Sequence, residues 1–312
     1  MSAFTRPAVR YAAVASVAVT GGYLATRSYN SNAFGCTQAH AESAPSDAKA
    51  ALKKMPWKGF TELKVESVEM VNHNVKKLTF ALPDNETISG IAPITSLLTQ
   101  HTPEGGWIPV MRPYTPISPN DTPGQISFMV KHYPGGKGST KMHSLVPGDT
   151  MKFKPLAELD YKPNEFSHMT FVAGGSGITP IYQLTQAIFR NPEDKTKVAL
   201  LYANNTEEDI LLKKEFDELA EKFPDRFSRI YTVSKTSSEG EGLYHTGYID
   251  KAMLSKVMPN KMSERNVKVL VSGPPAMIES IAGAKGMAGW TQGSLGGILG
   301  ELGYKKEEVH KF

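Results

Sequence analysis

Four short segments carry residue types that could do chemistry. Arg112-Pro113-Tyr114-Thr115-Pro116 offers a planar cation able to clamp a phosphate, an aromatic ring able to lie on a flat heterocycle, and a hydroxyl beside it. Alone, it is equally a proline-rich strand end with an exposed arginine. Val130-Lys131-His132-Tyr133 runs into Pro134-Gly135-Gly136-Lys137-Gly138-Ser139-Thr140, whose glycines let backbone N–H groups approach an anion and whose Ser139 is placed to cap a following helix. By itself this is also a plain glycine-rich hairpin loop. Gly174-Gly175-Ser176-Gly177-Ile178-Thr179-Pro180 lies between an apolar run and an amphipathic one. It has no Gly-Lys-Ser/Thr end and no Gly-x-Gly-x-x-Gly spacing, which argues against nucleoside triphosphate chemistry. A tight strand-to-helix turn without a ligand is the other reading. Ser272-Gly273-Pro274-Pro275-Ala276-Met277 follows another apolar run, where its prolines could simply open a helix.

The elements that must position these segments divide the chain. From Trp57 to about Lys154 the pattern is short period-2 alternation broken by Pro and Gly: Leu63 to Val71, Val75 to Leu82, Ile126 to Tyr133 and Met151 to Lys154. Such strands with few strong helices predict an antiparallel barrel or sandwich. From His168 onward, apolar strands alternate with amphipathic stretches: Met169 to Ala173, Val198 to Ala203, Arg229 to Val233 and Val267 to Ser272. That alternation predicts a parallel sheet of the nucleotide-binding type, carrying two of the four segments at its C-terminal edge. The spacing of Ile210, Leu211, Phe216, Leu219, Ala220 and Phe223 predicts a helix over Asp209 to Phe223. The boundary between the two regions falls near Leu156 to Glu165.

Composition narrows the function. The chain has 312 residues, 40% hydrophobic and 21% charged, enough for two compact domains and a tail. Its formal charge of +4 is spread along the sequence, which leaves no nucleic-acid footprint. With Cys36 as the only cysteine, no intramolecular disulfide, four-cysteine zinc cage or thiol redox pair can form. Redox chemistry would need a bound organic cofactor, and no metal is expected.

From Met1 to Ala41 there is no acidic residue, while Arg6, Arg10 and Arg27 punctuate a run of Ala, Val, Ser and Thr, as mitochondrial import favours. Tyr11 to Thr26 is uncharged but at ~1.5 Å per residue spans only about 24 Å, a marginal membrane crossing unless arginines snorkel. Ala39-His40-Ala41 fits a secretory cleavage pattern but lies far beyond the apolar run. The expectation is a mitochondrial address and anchor, with a linker over Ser43 to Lys54.

Together and in this order, the four motifs resemble the NADH–cytochrome b5 reductases of the ferredoxin–NADP reductase superfamily, and the likeness runs from Trp57 to Phe312. It includes Asn205-Thr206-Glu207-Glu208-Asp209-Ile210-Leu211-Leu212 and the closing Gly303-Tyr304 to Lys311-Phe312, and looks closest to the mitochondrial, N-terminally anchored branch. The resemblance implies an anchor and linker over 1–55, an antiparallel Greek-key barrel for FAD over 56–160, and a Rossmann-like parallel-sheet domain for NADH over 161–312. It implies that Arg112 with Pro113 binds FAD phosphates and that Tyr114 and Thr115 lie against the isoalloxazine. Val130, Lys131, Tyr133 and the loop Gly136, Lys137, Gly138, Ser139 would hold ribityl and pyrophosphate. Gly174, Gly175 and Gly177 would let the domains and nucleotide come close, with Thr179 and Pro180 seating both cofactors. Tyr202, Asn204, Asp209, Gly273, Pro274 and Pro275 would complete the NADH cleft, and Phe312 would pack near the ring. Thr115, Tyr114 and Ser272 would stand at the reacting atoms.

Three positions depart from the family pattern. Ser272 stands where a cysteine is usual, Gly138 where the phosphate loop has methionine, and Ser234, followed by Lys235, where an acidic residue usually repels a 2′-phosphate. Preference for NADH over NADPH therefore rests on less here. The implied reaction takes a hydride from NADH and passes electrons singly to a haem protein, with flavin as the carrier stable when half reduced. It needs no acid–base dyad, so His132, His143 and His245 read as structural or solvent-exposed. The implied partner is a cytochrome b5-like protein, and the implied setting a monomer on the mitochondrial outer membrane or in the intermembrane space. The alternatives are an NADPH-dependent reductase serving an iron–sulfur protein and a scaffold that has lost its flavin.

Overall fold

The computed structural model describes residues 52–234, 244–259, 266–289 and 291–312; the expected address and anchor, and Lys235, lie outside the described residues. Among the described residues no helix is long and apolar enough to cross a membrane.

The first lobe contains β1 (Lys53–Lys54), β2 (Thr61–Met70), β3 (Val75–Ala81), β4 (Thr87–Ile88), β5 (Thr95–His101), β6 (Val110–Tyr114), β7 (Gln125–Lys131), α1 (Lys137–Ser144) and β8 (Thr150–Ala157). Six antiparallel strands follow the order β6-β5-β8-β2-β3-β7, with β8 inserted between β5 and β2 in Greek-key fashion. Past the end of β6, the Ile117 N–H donates to Ser127 O on β7, linking the two outer strands of that order. Lys53 and Lys54, expected to end the linker, instead pair in parallel with β4. The alternation on β7 turns Ile126, Phe128 and Val130 into the barrel core, and Met129 packs against the core of the second lobe. The Phe128 and Phe153 rings stack at 5.2 Å, and Phe80 meets Phe153 edge-on at 4.8 Å. Each such ring contributes about 1.5–3 kcal/mol by leaving water.

The second lobe contains β9 (His168–Gly174), α2 (Ile178–Arg190), β10 (Lys197–Asn204), α3 (Lys213–Lys222), β11 (Phe227–Val233), β12 (His245–Thr246), α4 (Lys251–Val257), β13 (Val267–Ser272), α5 (Pro275–Ala282), α6 (Gly297–Glu301) and β14 (Val309–Lys311). All six strands are parallel, in the order β12-β11-β10-β9-β13-β14. Chain order reverses between β9 and β13, which makes their C-terminal ends the switch-point crevice of the sheet. Both faces are covered, α2 and α3 on one and α4 and α5 on the other, so β9 is buried almost throughout.

Two expectations are corrected. The helix read as starting at Asp209 begins at Lys213, because Glu207–Asp209 is a 3-10 turn and Leu212 adopts a left-handed backbone with φ 58°. Ser139 does not cap α1. It sits within the first turn, where its hydroxyl accepts from the Tyr133 N–H at 3.1 Å and lies 3.2 Å from Gly136 O.

Helix α2 ties the lobes together. The Gln183 side chain accepts from the Thr95 N–H at 2.9 Å and donates to Thr95 O at 3.2 Å, while Gln186 donates to Ile117 O at 3.2 Å. At its C-terminal end, Arg190 makes a two-point contact with Asp121 at 2.8 and 3.0 Å.

Candidate functional site

A cavity of about 540 Å³ opens where β6, the start of α1, the start of α2 and the end of β13 converge. Its wall includes Arg112, Pro113, Tyr114 and Thr115 from the first motif, and Val130, Lys131, Tyr133, Gly136, Lys137, Gly138 and Ser139 from the second. Gly177, Thr179 and Pro180 come from the third, Ser272, Gly273, Pro274 and Pro275 from the fourth, and Phe312 closes the chain terminus against them. Segments separated by up to two hundred positions in sequence thus share one wall.

On the barrel side, Arg112 is exposed and spends one donor on Met111 O at 2.7 Å, so the rest of its fork is free for an anion. A Cβ at Gly138 would lie 2.7 Å from Arg112 Cγ and 3.2 Å from Tyr114 Oη; its absence lets the loop pack directly on both side chains. The N-cap Gly136 supplies no side-chain cap, so the first-turn N–H groups of α1 have no intrahelical acceptor and form the positive end of the helix. Burial, opposed by the nearby Arg112 charge, pushes the Tyr114 phenol up to about 12, which keeps it a neutral flat surface. Thr115 is buried, with its hydroxyl 3.0 Å from that of Ser96.

On the α/β side, Gly177 meets the switch point. A Cβ there would come within 2.5 Å of Ser272 O and 2.7 Å of Gly273 N, so the turn that follows β9 packs on the end of β13 only because this position is bare. The Thr179 hydroxyl donates to Ser176 O at 3.3 Å, and the Tyr133 and Ser176 hydroxyls meet at 2.8 Å across the lobes.

Gly174, Gly175, Tyr202, Asn204 and Asp209 are not in the cavity wall. Gly174 ends β9 and Gly175 begins the turn, whose carbonyl accepts from the fully buried Tyr202 hydroxyl at 2.9 Å. Tyr202 therefore braces the turn from below. Asp209 binds Lys131 at 3.0 Å, joining β7 to the second lobe. Burial works to raise the Asp209 carboxyl, but the Lys131 ammonium and the Thr206 hydroxyl outweigh it and hold it below the ordinary carboxylate range. Asn204, at the end of β10, is buried beside the Tyr202 hydroxyl, which donates to Gly175 O and can still accept from the amide.

Sequence reasoning missed Ser96, Met129, Glu158 and Ser176, which also line the cavity. Burial raises the Glu158 carboxyl, opposed by a hydrogen bond to Ser96 and by Lys285, so Thr115, Ser96 and Glu158 form a polar chain from the cavity into the barrel. Met129 was the residue between Phe128 and Val130 on an already recognised strand, so strict alternation could have found it.

The fold has counterparts. Residues 62–161 match the oxidoreductase FAD-binding domain and residues 171–283 the oxidoreductase NAD-binding domain. An NADH-cytochrome b5 reductase 2 of Pyricularia oryzae is 47% identical over 256 residues, covering 82% of this chain and 76% of that one. The chain belongs to the NADH–cytochrome b5 reductase family. The homologue from Aspergillus niger is 42% identical over 299 residues, 96% of this chain and 89% of its own. The cytochrome b5 reductase domain of Ulva prolifera nitrate reductase superimposes with a TM-score of 0.70 at 29% identity, covering 83% of this chain and 99% of that domain. The reductase is thus a flavoprotein oxidoreductase with an FAD-binding and an NAD-binding domain, and the residues present suit both groups. The uncapped α1 terminus and the Arg112 fork suit a pyrophosphate, the Tyr114 face suits a flat ring system, and the switch-point crevice between β9 and β13 suits a nucleotide.

Proposed function

We propose that the reductase takes a hydride from NADH onto FAD and delivers electrons singly to cytochrome b5, with the inter-lobe cavity as the reaction site. The observation that carries this reading is the convergence of all four motifs on one cavity at the β9/β13 switch point. When bound, FAD supplies a centre that accepts two electrons together and releases them one at a time.

The residues divide the work by lobe. Arg112 and the first-turn N–H groups of α1 hold phosphate, and Lys131, Tyr133 and Ser139 set the loop around it. Tyr114 would offer a neutral flat face to the isoalloxazine, and the Thr115 hydroxyl, 3.0 Å from that of Ser96, would be available to hydrogen-bond it. The Gly177 turn and Ser272, packed together at the switch point, would form the floor on which a nicotinamide could lie at the close range hydride transfer needs. Pro274, Pro275 and Phe312 line the cavity and would shield the gap from water once both groups are bound. The Lys131–Asp209 pair and the Gln183 contacts keep the two walls in register.

The N-terminal segment, free of acid and punctuated by arginine, supports attachment to a mitochondrial membrane, and the catalytic lobes act as a monomer. Import into isolated mitochondria with and without residues 1–51, followed by alkaline extraction and gel filtration of the product, tests this. For the chemistry, the anaerobic visible spectrum decides: NADH should bleach a flavin band that oxidised cytochrome b5 then restores. A purified protein that is colourless after FAD loading, or a band indifferent to NADH, rules the reading out.

A further inference from the structure

The last strand ends on two residues that face opposite ways. Alternation along β14 turns the Lys311 side chain toward the end of α5 and leaves Phe312, just past the strand, in the wall of the inter-lobe cavity. Lys311 is only 3% exposed. Its ammonium meets no carboxylate and donates instead to backbone carbonyls: Ser294 O at 2.9 Å, Gly283 O and Ala284 O at 3.1 Å, and Ala282 O at 3.4 Å. A Cβ at Gly283 would stand 2.8 Å from Ser294 O, so this cage closes only because that position is bare. A cation buried without an anion is costly unless its donors are all used, and here each N–H of the ammonium has an acceptor.

The cage joins two parts of the cavity wall. Ala282 is the last residue of α5, so the carbonyls of Ala282, Gly283 and Ala284 belong to the helix end, where a cation satisfies groups the helix leaves open. The other end of α5 starts at Pro275, which lines the cavity with Pro274. The backbone around Lys311 is pinned as well. Its N–H donates to the Gln292 side chain at 2.7 Å, the Gln292 amide donates back to Lys311 O at 2.9 Å, and the Phe312 N–H donates to Val271 O at 2.9 Å. The Phe312 ring meets His310 edge-on at 4.8 Å. One side chain thus ties the helix that begins at Pro275 to the strand that leads into Phe312, and both of those residues face the same space. An apolar residue would bury this strand end at less cost, but a caged ammonium is directional, because its hydrogen bonds hold at one separation only.

We propose that Lys311 is a positioning residue for the nicotinamide: its caged ammonium fixes Phe312 and the Pro274-Pro275 start of α5 relative to one another, and so sets the slot that the ring enters. The proposal rests on reading the cavity as the place where NADH meets FAD. Lys311 does not line the cavity and acts only through the residues it holds.

The test uses the full-length, FAD-loaded protein with ferricyanide as acceptor, so that docking of a protein partner plays no part. Lys311→Met removes the charge at similar length. Its KM for NADH should rise about tenfold while kcat falls less than about threefold and flavin content stays at the wild-type level, the pattern of binding lost equally from ground and transition states. The change that NAD+ titration produces in the flavin spectrum should move to correspondingly higher NAD+ concentration. Gln292→Leu leaves the ammonium in its cage and frees only the tail backbone, so it should raise KM in the same direction, about threefold. A lowered melting temperature with wild-type KM and NAD+ titration in both variants reduces Lys311 to a helix cap and overturns the proposal, as does a fall in kcat without a rise in KM. Should Lys311→Met not fold, Gln292→Leu decides, and a wild-type KM there overturns the proposal. Wild-type flavin that NADH fails to bleach sinks the reading of the cavity itself, whereas bleaching in the wild type with no KM shift in either variant sinks only the role of Lys311.

Discussion

Two glycine-rich turns launch helices into the same cavity, one before α1 and one before α2, and neither N-cap carries a side-chain cap. They differ in what fills the space a side chain would take. At Gly138 the neighbour is the stem of Arg112, which can swing; at Gly177 it is the backbone of Ser272 and Gly273, which cannot move without breaking the switch point. The helices differ too: α1 is half exposed and ends on free N–H groups, whereas α2 is buried along nearly its whole length and clamps the lobes. The same device therefore leaves N–H groups free for an anion in one place and lets a turn pack on a strand end in the other, and tolerance to change should follow that division.

The strongest way to break this comparison is Gly177→Ala. A Cβ 2.5 Å from a carbonyl oxygen should destabilise the fold by about 2–3 kcal/mol and slow NADH-driven flavin reduction about 100-fold. Thermal melting and anaerobic stopped-flow measure the two, and a variant with wild-type values for both would mean the Gly177 turn does not press on the end of β13.

Arg112→Ala should leave the melting temperature of the apoprotein nearly unchanged while FAD affinity falls about tenfold to a hundredfold, the usual loss for a charge-assisted contact. Flavin fluorescence titration reads it, and full occupancy after gel filtration would remove Arg112 from phosphate binding.

A third test addresses the joint between the lobes. Asp209→Asn should cost about 1–2 kcal/mol, since Lys131 then loses its charged partner at a mostly buried position. The folded carboxyl is held below its ordinary range, so the contribution is complete above that range and fades as pH falls through the lowered folded value. The melting temperatures of wild type and variant should separate at neutral pH and converge toward acid; a constant gap would mean that the pair does not stabilise the fold.

The smallest effect belongs to Gly138→Ala. Here the Arg112 stem can give way, so FAD affinity should fall only a few-fold, about 0.5–1 kcal/mol, with little change in melting temperature. A loss equal to that of Gly177→Ala would erase the distinction between the two turns.

Much of the fold was legible because it rests on local periodicity. The strand Val267–Ser272 appears with the bounds its apolar run suggests, and Ile126, Phe128 and Val130 face the core as alternation requires. Position β5 was not, since Thr95-Ser-Leu-Leu-Thr-Gln-His has no alternation to read, being buried at both Thr95 and Ser96 by contacts from opposite sides. Ser96 was missed with it, and Glu158 because a single carboxyl beyond a strand end carries no spacing signal. The start of α3 was misplaced because Leu212 turns left-handed to seat Phe216, and Asp209 is held by Lys131 from the other lobe. Those partners are remote in sequence.

Residue order alone determined the two-lobed architecture, the glycine and proline breaks, and the four segments able to hold a flavin and a nucleotide, since each depends on propensities within a few residues. Only tertiary structure decided that Gly177 is bare for the sake of Ser272, that Lys131 answers to Asp209, that Tyr202 braces the Gly175 turn, and that Arg229 and Lys213 share one carboxylate. Each of these is a contact, most of them between strands or lobes brought together by folding, and such a contact has no signature in the order of residues along either partner.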